Sequence, residues 1–193
     1  MMVLDAAAEL LATHRLEEVS MAAIARRAGM SKRTLYTVFS CREELLGASF
    51  ARIGQTLFRR LTEVERQQPL AERLRTLLTL NHVPCFEETP LELLRAVVTE
   101  APVFPGIARQ LDTEGRGALI RYVGEELTAA AAEGEADLKG MRAEDAAELL
   151  VDMVIGDTLH RLLIPEDSCS TPAERDLRRD RAIALFLDGV RPR

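Results

Sequence analysis

Apolar residues recur every three to four positions along most of this chain, and no sustained stretch alternates with period two. That pattern predicts helices packed through one face, and an all-α fold. Leu4, Ala7, Ala8 and Leu11 form a first stripe, ending near Thr13 and His14. Ser20 is placed to cap a second helix, on which Met21, Ile24, Ala25 and Ala28 share a face. Gly29 stands where helices often end in a left-handed residue. Ser31 is placed to cap a third helix, with Leu35, Val38 and Phe39 as its expected buried face. A fourth begins near Ser40 and Cys41, where Glu43 or Glu44 can complete a reciprocal cap. Its stripe is Leu46, Phe50, Ile53 and Leu57, and it is expected to reach about Arg66.

Beyond Gln67, Gln68 and Pro69 the stripe is Leu70, Leu74, Leu77 and Leu78. Pro84, Pro90, Pro102 and Pro105 punctuate the middle, predicting a short helix at about 90–100 and a longer one at about 105–132. The short one carries Leu91, Leu94, Val97 and Val98; the longer one carries Ile107, Leu111, Leu119, Tyr122, Val123 and Leu127. A polar loop precedes a helix at about 142–164, and a last helix spans about 172–188. The last helix is expected to bury Leu177, Ile183, Phe186 and Leu187 and to turn Arg175, Arg178, Arg179 and Arg181 outward. The stretch from Leu149 to Ile164 is apolar on more than one face, so it needs cover on more than one side. A second copy of the chain would supply it, making the helices at about 142–164 and 172–188 a four-helix dimer interface.

Charge changes the picture at one place. The 193-residue chain has a formal net charge of −6, yet residues 20–42 hold Arg26, Arg27, Lys32, Arg33 and Arg42 and no acid. The same stretch has the spacing of two short helices meeting at a tight turn. Ala25 is small where the helices cross, and Gly29 lies at the turn. A helix-turn-helix at 20–39 that binds double-stranded DNA accounts for both features. Two core helices with a solvated basic face would explain the charge but not the small residue and the glycine. Aromatic residues make up only 4% of the chain, in keeping with the poor strand signals.

The run LDAAAELLATH, then VSMAAIARRAGMSKRTLYTVFSCREELL, resembles the tetracycline-repressor (TetR) family of bacterial transcription regulators. The resemblance implies a three-helix DNA-binding domain at 1–50, linked by helix four to an all-helical effector-binding and dimerisation domain at 51–193. The segment from Phe104 and Pro105 to the closing LFLDGVRP resembles one common C-terminal subtype. By position, the resemblance makes Ser20, Thr34, Tyr36 and Arg42 phosphate contacts, and brings Ser31, Lys32 and Arg33 nearest the base edges. Arg33 is the residue expected to read a base, since arginine in the major groove pairs with guanine O6 and N7. The family's usual lysine at the start of helix four is Arg42 here, and Cys41 occupies a position commonly held by Ser, Asn or Asp. Minor-groove contacts from a basic arm are not expected.

The function this implies is a dimeric repressor released from a palindromic operator by a small-molecule effector. Helix faces suggest Leu77, Asn81, Phe86, Leu94, Phe104 and Met153 as lining of the effector cavity. No cofactor or metal is expected: His82 and Cys85 lack a second pair of ligands. No nucleophile–base pair or phosphate-cradling glycine loop argues for an enzyme. Three widely spaced cysteines (Cys41, Cys85, Cys169) argue against a disulfide framework and fit a reducing cytoplasm, and no apolar run is long enough to cross a membrane. Two alternatives remain. One is a DNA-binding protein of the same fold without an effector, for example one sensing oxidants through Cys41; the other is an all-α enzyme or carrier.

Overall fold

The computed structural model describes residues 2–14, 16–80, 94–95, 97–99, 101–164 and 171–192. Every regular element among them is helical, so the all-α expectation holds. By compactness the chain forms two units, Met1–Leu57 with His82–Gly115, and Phe58–Asn81 with Arg116–Arg193.

The first unit contains α1 (Met2–Thr13), a 3-10 turn at Leu16–Glu18, α2 (Met21–Arg27), α3 (Lys32–Val38), α4 (Arg42–Leu57) and α7 (Pro105–Glu114). Its core is Val3, Ala7, Leu16, Val19, Met21, Ile24, Ala25, Leu35, Leu45, Leu46, Phe50, Ile53, Val97 and Ile107. The apolar stripes of α1, α2 and α4 thus meet around Phe50 and Leu35, both fully buried. Two ion pairs, Arg27–Glu9 and Arg52–Asp5, tie α1 to α2 and to α4. Helix α4 lies closely against α7 because Gly47 and Gly54 leave its surface bare. A Cβ on Gly54 would come 2.9 Å from the backbone of Glu114 and Gly115, and one on Gly47 would meet the side chain of Gln110.

The second unit holds α5 (Glu63–Arg66), α6 (Leu70–Leu77), α8 (Arg116–Ala132), α9 (Ala143–Ile155), α10 (Thr158–Leu163) and α11 (Pro172–Gly189). Leu70, Leu74, Leu77 and Leu78 pack with Leu119, Val123, Leu127, Ala147, Leu150, Val151 and Ile183. A charged network runs through this unit. The buried Arg73 pairs with the buried Glu126 and with Glu135. Arg179 donates to Thr79 and pairs with Asp176 and Asp180.

Three predicted helices are shorter than the stripes suggested. Helix α4 ends at Leu57 rather than near Arg66, and after the non-helical residues 58–62 a reciprocal cap between Thr62 and Glu65 starts α5. Hydrogen bonds from Arg59, then Thr62, pull the Glu65 carboxyl down to about 2. The stretch at 105–132 breaks at Gly115, and 142–164 breaks at Gly156, where Asp157 caps α10 by accepting from the His160 N–H at 2.9 Å.

Gly156 has φ +77°, and the Arg178 guanidinium fills the space its Cβ would need while donating to the carbonyls of Met153 and Val154. Gly156→Ala should therefore lose stability twice, from about 1–3 kcal/mol of strain at φ +77°, ψ −169°, a region essentially restricted to glycine, and from displacing Arg178. Gly134, also at φ +77° but in a helix-end turn with open space around it, carries a backbone cost alone. Thermal unfolding should rank wild type above Gly134→Ala, and that above Gly156→Ala.

Some side chains depart from the predicted faces. Val38 is 60% exposed and Leu177 is 50% exposed, whereas Arg179 is buried. Leu35 is the buried residue of α3, and Phe39, just past its end, packs against the same core. The stripe rule placed Val38 beside Leu35, but α3 ends at Val38 and Phe39 turns into extended backbone to take the inner position.

Candidate nucleic-acid interface

Helix α2 ends in a turn that needs Gly29. The Met30 N–H donates to the Ala25 carbonyl and the Gly29 N–H to the Arg26 carbonyl, with Gly29 at φ +67°. This is the six-to-one and five-to-two pattern of a Schellman turn, which satisfies the last carbonyls of α2. Ser20 caps α2 by accepting from the Ala23 N–H at 3.2 Å. Ser31 caps α3 by accepting from the Thr34 N–H at 3.0 Å, and its hydroxyl also bonds the Thr34 hydroxyl at 2.8 Å. Ala25 is 2% exposed and Ile24 fully buried, so α2 and α3 meet closely at their crossing.

Lys32, Arg33, Thr34, Tyr36 and Thr37 all stand exposed on α3, while Leu35 is wholly buried. Lys32 and Arg33 form no ion pair among the described residues, so two positive charges and a phenol project from one short helix. The rest of the basic island divides differently. Arg27 is taken by Glu9 on α1, and Arg26 remains exposed. Arg42 is half-buried: its Nε donates to the Val19 carbonyl at 2.9 Å and its Nη2 to the Leu16 carbonyl. The guanidinium therefore braces the start of α4 against the turn before α2, a use of the side chain that residue spacing does not reveal. Glu44 accepts from both the Ser40 N–H and its hydroxyl at 2.7 Å, and these bonds hold its carboxyl below the usual carboxylate range. Cys41 is a half-buried free thiol at the same helix start.

The residues expected to line an effector cavity fall in different places. Leu77 is a core residue of the second unit, and Met153 is exposed on α9, as is Leu149. Leu94 and Phe104 belong to the first unit; Phe104 borders an open groove of about 490 Å³ with Ile107, Gln110, Glu43 and Glu44. Asn81 and Phe86 lie outside the described residues, as do His82, Cys85 and Cys169. Among the described helices none is long and apolar enough to cross a membrane.

A capped helix, a left-handed glycine turn and a second helix presenting an exposed basic face over a buried leucine define a helix-turn-helix DNA-binding protein. Residues 3–48 match the family described as "Bacterial regulatory proteins, tetR family", and residues 68–189 match "AefR-like transcriptional repressor, C-terminal domain". The chain belongs to the TetR family of transcriptional regulators. Among solved structures it is similar to the flavonoid-responsive regulator FrrA, at 26% identity over 100% of this chain and 96% of that one, with a TM-score of 0.72. A TetR-family regulator from Mesorhizobium loti (19% identity, 98% and 95% covered, TM-score 0.72) shares the fold. So does one from Agrobacterium tumefaciens (22% identity, 98% and 93% covered, TM-score 0.71). No curated protein matches the chain.

Proposed function

We propose that this regulator is a homodimeric repressor whose grip on a palindromic operator is released by a small molecule. The observation that carries the reading is the exposed face of α3, where Lys32, Arg33 and Tyr36 are held in place by the buried Leu35. In this reading residues 1–50 bind DNA and residues 51–193 dimerise and hold the effector. Lys32 and Arg33 enter the major groove. Ser20, Ser31, Thr34 and Tyr36 contact phosphates or sugar edges, and Arg42 supports them by fixing the start of α4. Phosphate contacts position the domain and base contacts choose the site.

Dimerisation is supported by exposed apolar residues on the helices predicted to carry it: Leu149 and Met153 on α9, Leu159 and Leu163 on α10, Leu177 and Leu185 on α11. Exposed apolar residues gathered on neighbouring helices are the kind of surface that marks an interaction site. Effector response is supported by the likeness to FrrA, which makes flavonoids the first compounds to test. The coupling would pass through α4, because α7 lies directly on Gly47 and Gly54 and a shift of α7 carries α4 with it. An effector releases DNA only if it binds the released state more tightly than the DNA-bound one.

The deciding experiment is binding to the DNA upstream of its own gene against scrambled DNA, at fixed salt. Preference for the upstream fragment is expected; equal affinity for both, or no binding, would overturn the repressor reading. Tyr36→Phe should weaken all sequences alike. Arg33→Ala should cost about 1–3 kcal/mol at one base position and relax the preference there. If Arg33 only tracks the backbone, its loss will instead flatten the salt slope by about one.

A further inference from the structure

Arg42 is the first residue of α4, where the family resemblance implies a phosphate contact, yet its fork of donors is already in use. Nε–H and an Nη2–H lie on one edge of the guanidinium, an edge suited to gripping a phosphate through two parallel bonds. Here Nε donates to the Val19 carbonyl at 2.9 Å and Nη2 to the Leu16 carbonyl, and the residue is half-buried. Both acceptors belong to one anchored turn. The Val19 N–H donates to the Leu16 carbonyl at 3.1 Å, and both side chains are buried. The next residue is Ser20, the cap of α2 and an expected DNA contact. At the same helix start Glu44 accepts from Ser40, two residues past the end of α3. The first turn of α4 therefore holds the beginning of α2 through Arg42 and the end of α3 through Glu44. Leu45 and Leu46 pack in one core with Ile24 and Leu35. Apolar contact is non-directional, whereas two bonds from a rigid planar fork fix an angle.

We propose that Arg42 determines sequence specificity without touching DNA, by fixing the angle at which α2 and Ser20 meet the duplex while α3 lies in the groove. The inference rests on α3 being the helix that enters the major groove. Bonds to base edges weaken steeply when a donor is turned or withdrawn. Attraction to the phosphates is independent of sequence and far less demanding of orientation. Loosening the brace therefore costs the specific complex and leaves the non-specific one nearly intact. A phosphate contact has the opposite signature: it strengthens all sequences alike and adds about one to the salt slope. Arginine suits a brace because lysine, a point charge on a flexible stem, has no planar fork to hold two carbonyls in one orientation.

The test measures binding to upstream and to scrambled DNA across a salt series, for wild type, Arg42→Met, Arg42→Lys and Arg52→Met. Arg42→Met keeps an unbranched stem and removes the fork. It should weaken upstream binding by at least roughly tenfold, the scale of one lost charge-assisted hydrogen bond. Scrambled DNA should lose less than about twofold, with the salt slope unchanged, because no phosphate contact goes with it. Arg42→Lys keeps the charge and should still show most of the loss in the upstream-to-scrambled ratio. Arg52→Met breaks the ion pair between α4 and α1 and leaves the Arg42 brace in place, so its ratio should match wild type. Three results would overturn the proposal. Arg42→Met could weaken both DNAs alike and flatten the salt slope; Arg42→Lys could bind as wild type does; or Arg52→Met could lose the same ratio, as general loosening would give. Should Arg42→Met fail to fold, Arg42→Lys against Arg52→Met decides the matter by the same ratio. A wild type with no preference for the upstream DNA would overturn the operator reading itself, a separate outcome visible before any variant is made.

Discussion

Placing aspartate at Leu149 and Leu185 together should convert the protein to monomers and weaken operator binding by at least roughly a hundredfold. Both side chains are exposed in the single chain, at 53% and 67%, so their replacement touches no core contact. Exposed substitutions of this kind usually change monomer stability by less than about 0.5 kcal/mol. In a dimer the same carboxylates would be buried without partners, and that cost is large. The loss of DNA affinity follows from geometry. Two recognition helices held about 34–36 Å apart bind adjoining half-sites as one event, whereas a monomer must bind each separately. Sedimentation of the variant should give the mass of one chain, with a far-ultraviolet helix signal like that of wild type. A variant that stays dimeric would move the interface elsewhere. A variant that unfolds would show that the monomer has no stability of its own, and Leu185→Asp alone would then give the intermediate case.

Gly54→Ala should destabilise the protein, although alanine is the better helix former by about 1 kcal/mol. The added Cβ would stand 2.9 Å from the backbone of Glu114 and Gly115, and backbone at a helix junction cannot move aside without separating α4 from α7. Overpacking of this kind costs about 1–3 kcal/mol, so the steric cost should win. Gly47→Ala is the control. There the obstructing atom is the amide end of Gln110, a flexible side chain that can swing away, so the helix-propensity gain should win and stability should be unchanged or higher. Denaturant unfolding of the two variants, one residue type and one helix apart by two turns, separates close backbone approach from simple glycine loss. Gly54→Ala should also alter effector response, because it changes the α4–α7 contact through which the proposed coupling runs; operator release titrated with effector measures that.

Much of the DNA-binding part was legible because its determinants are local. Ser20 and Ser31 are caps, Gly29 is a left-handed turn residue, and Ile24, Ala25 and Leu35 are buried in the positions their spacing indicates. Each of these depends on neighbours within four residues, which is the range over which helical periodicity carries information. Two helix boundaries are just as local: Thr62 and Glu65 have the spacing of a reciprocal cap, and Gly156 followed by Asp157 is a helix end followed by a helix start. The stripes run through both places, so periodicity alone extended the helices.

Other features had no local signal. Arg27 and Arg42 look like their basic neighbours along the chain, yet one meets Glu9 and the other meets carbonyls at residues 16 and 19. Arg179 looked like part of a solvated arginine face and is buried against Thr79, a hundred residues away. Leu177 and Val38 fit apolar stripes and stand exposed, because a stripe says which residues align and not how much of the stripe a neighbour covers.

The sequence by itself determined that this chain is all-α and carries a helix-turn-helix of the TetR family, because caps, turn glycines and apolar spacing act over one or two helical turns. Only the tertiary structure decided which members of the basic island pair within the chain, which leucines remain uncovered, and how closely the backbone of Glu114 and Gly115 approaches Gly54. Those outcomes depend on what lies opposite each side chain in space, and residues brought together by folding leave no spacing between them to read.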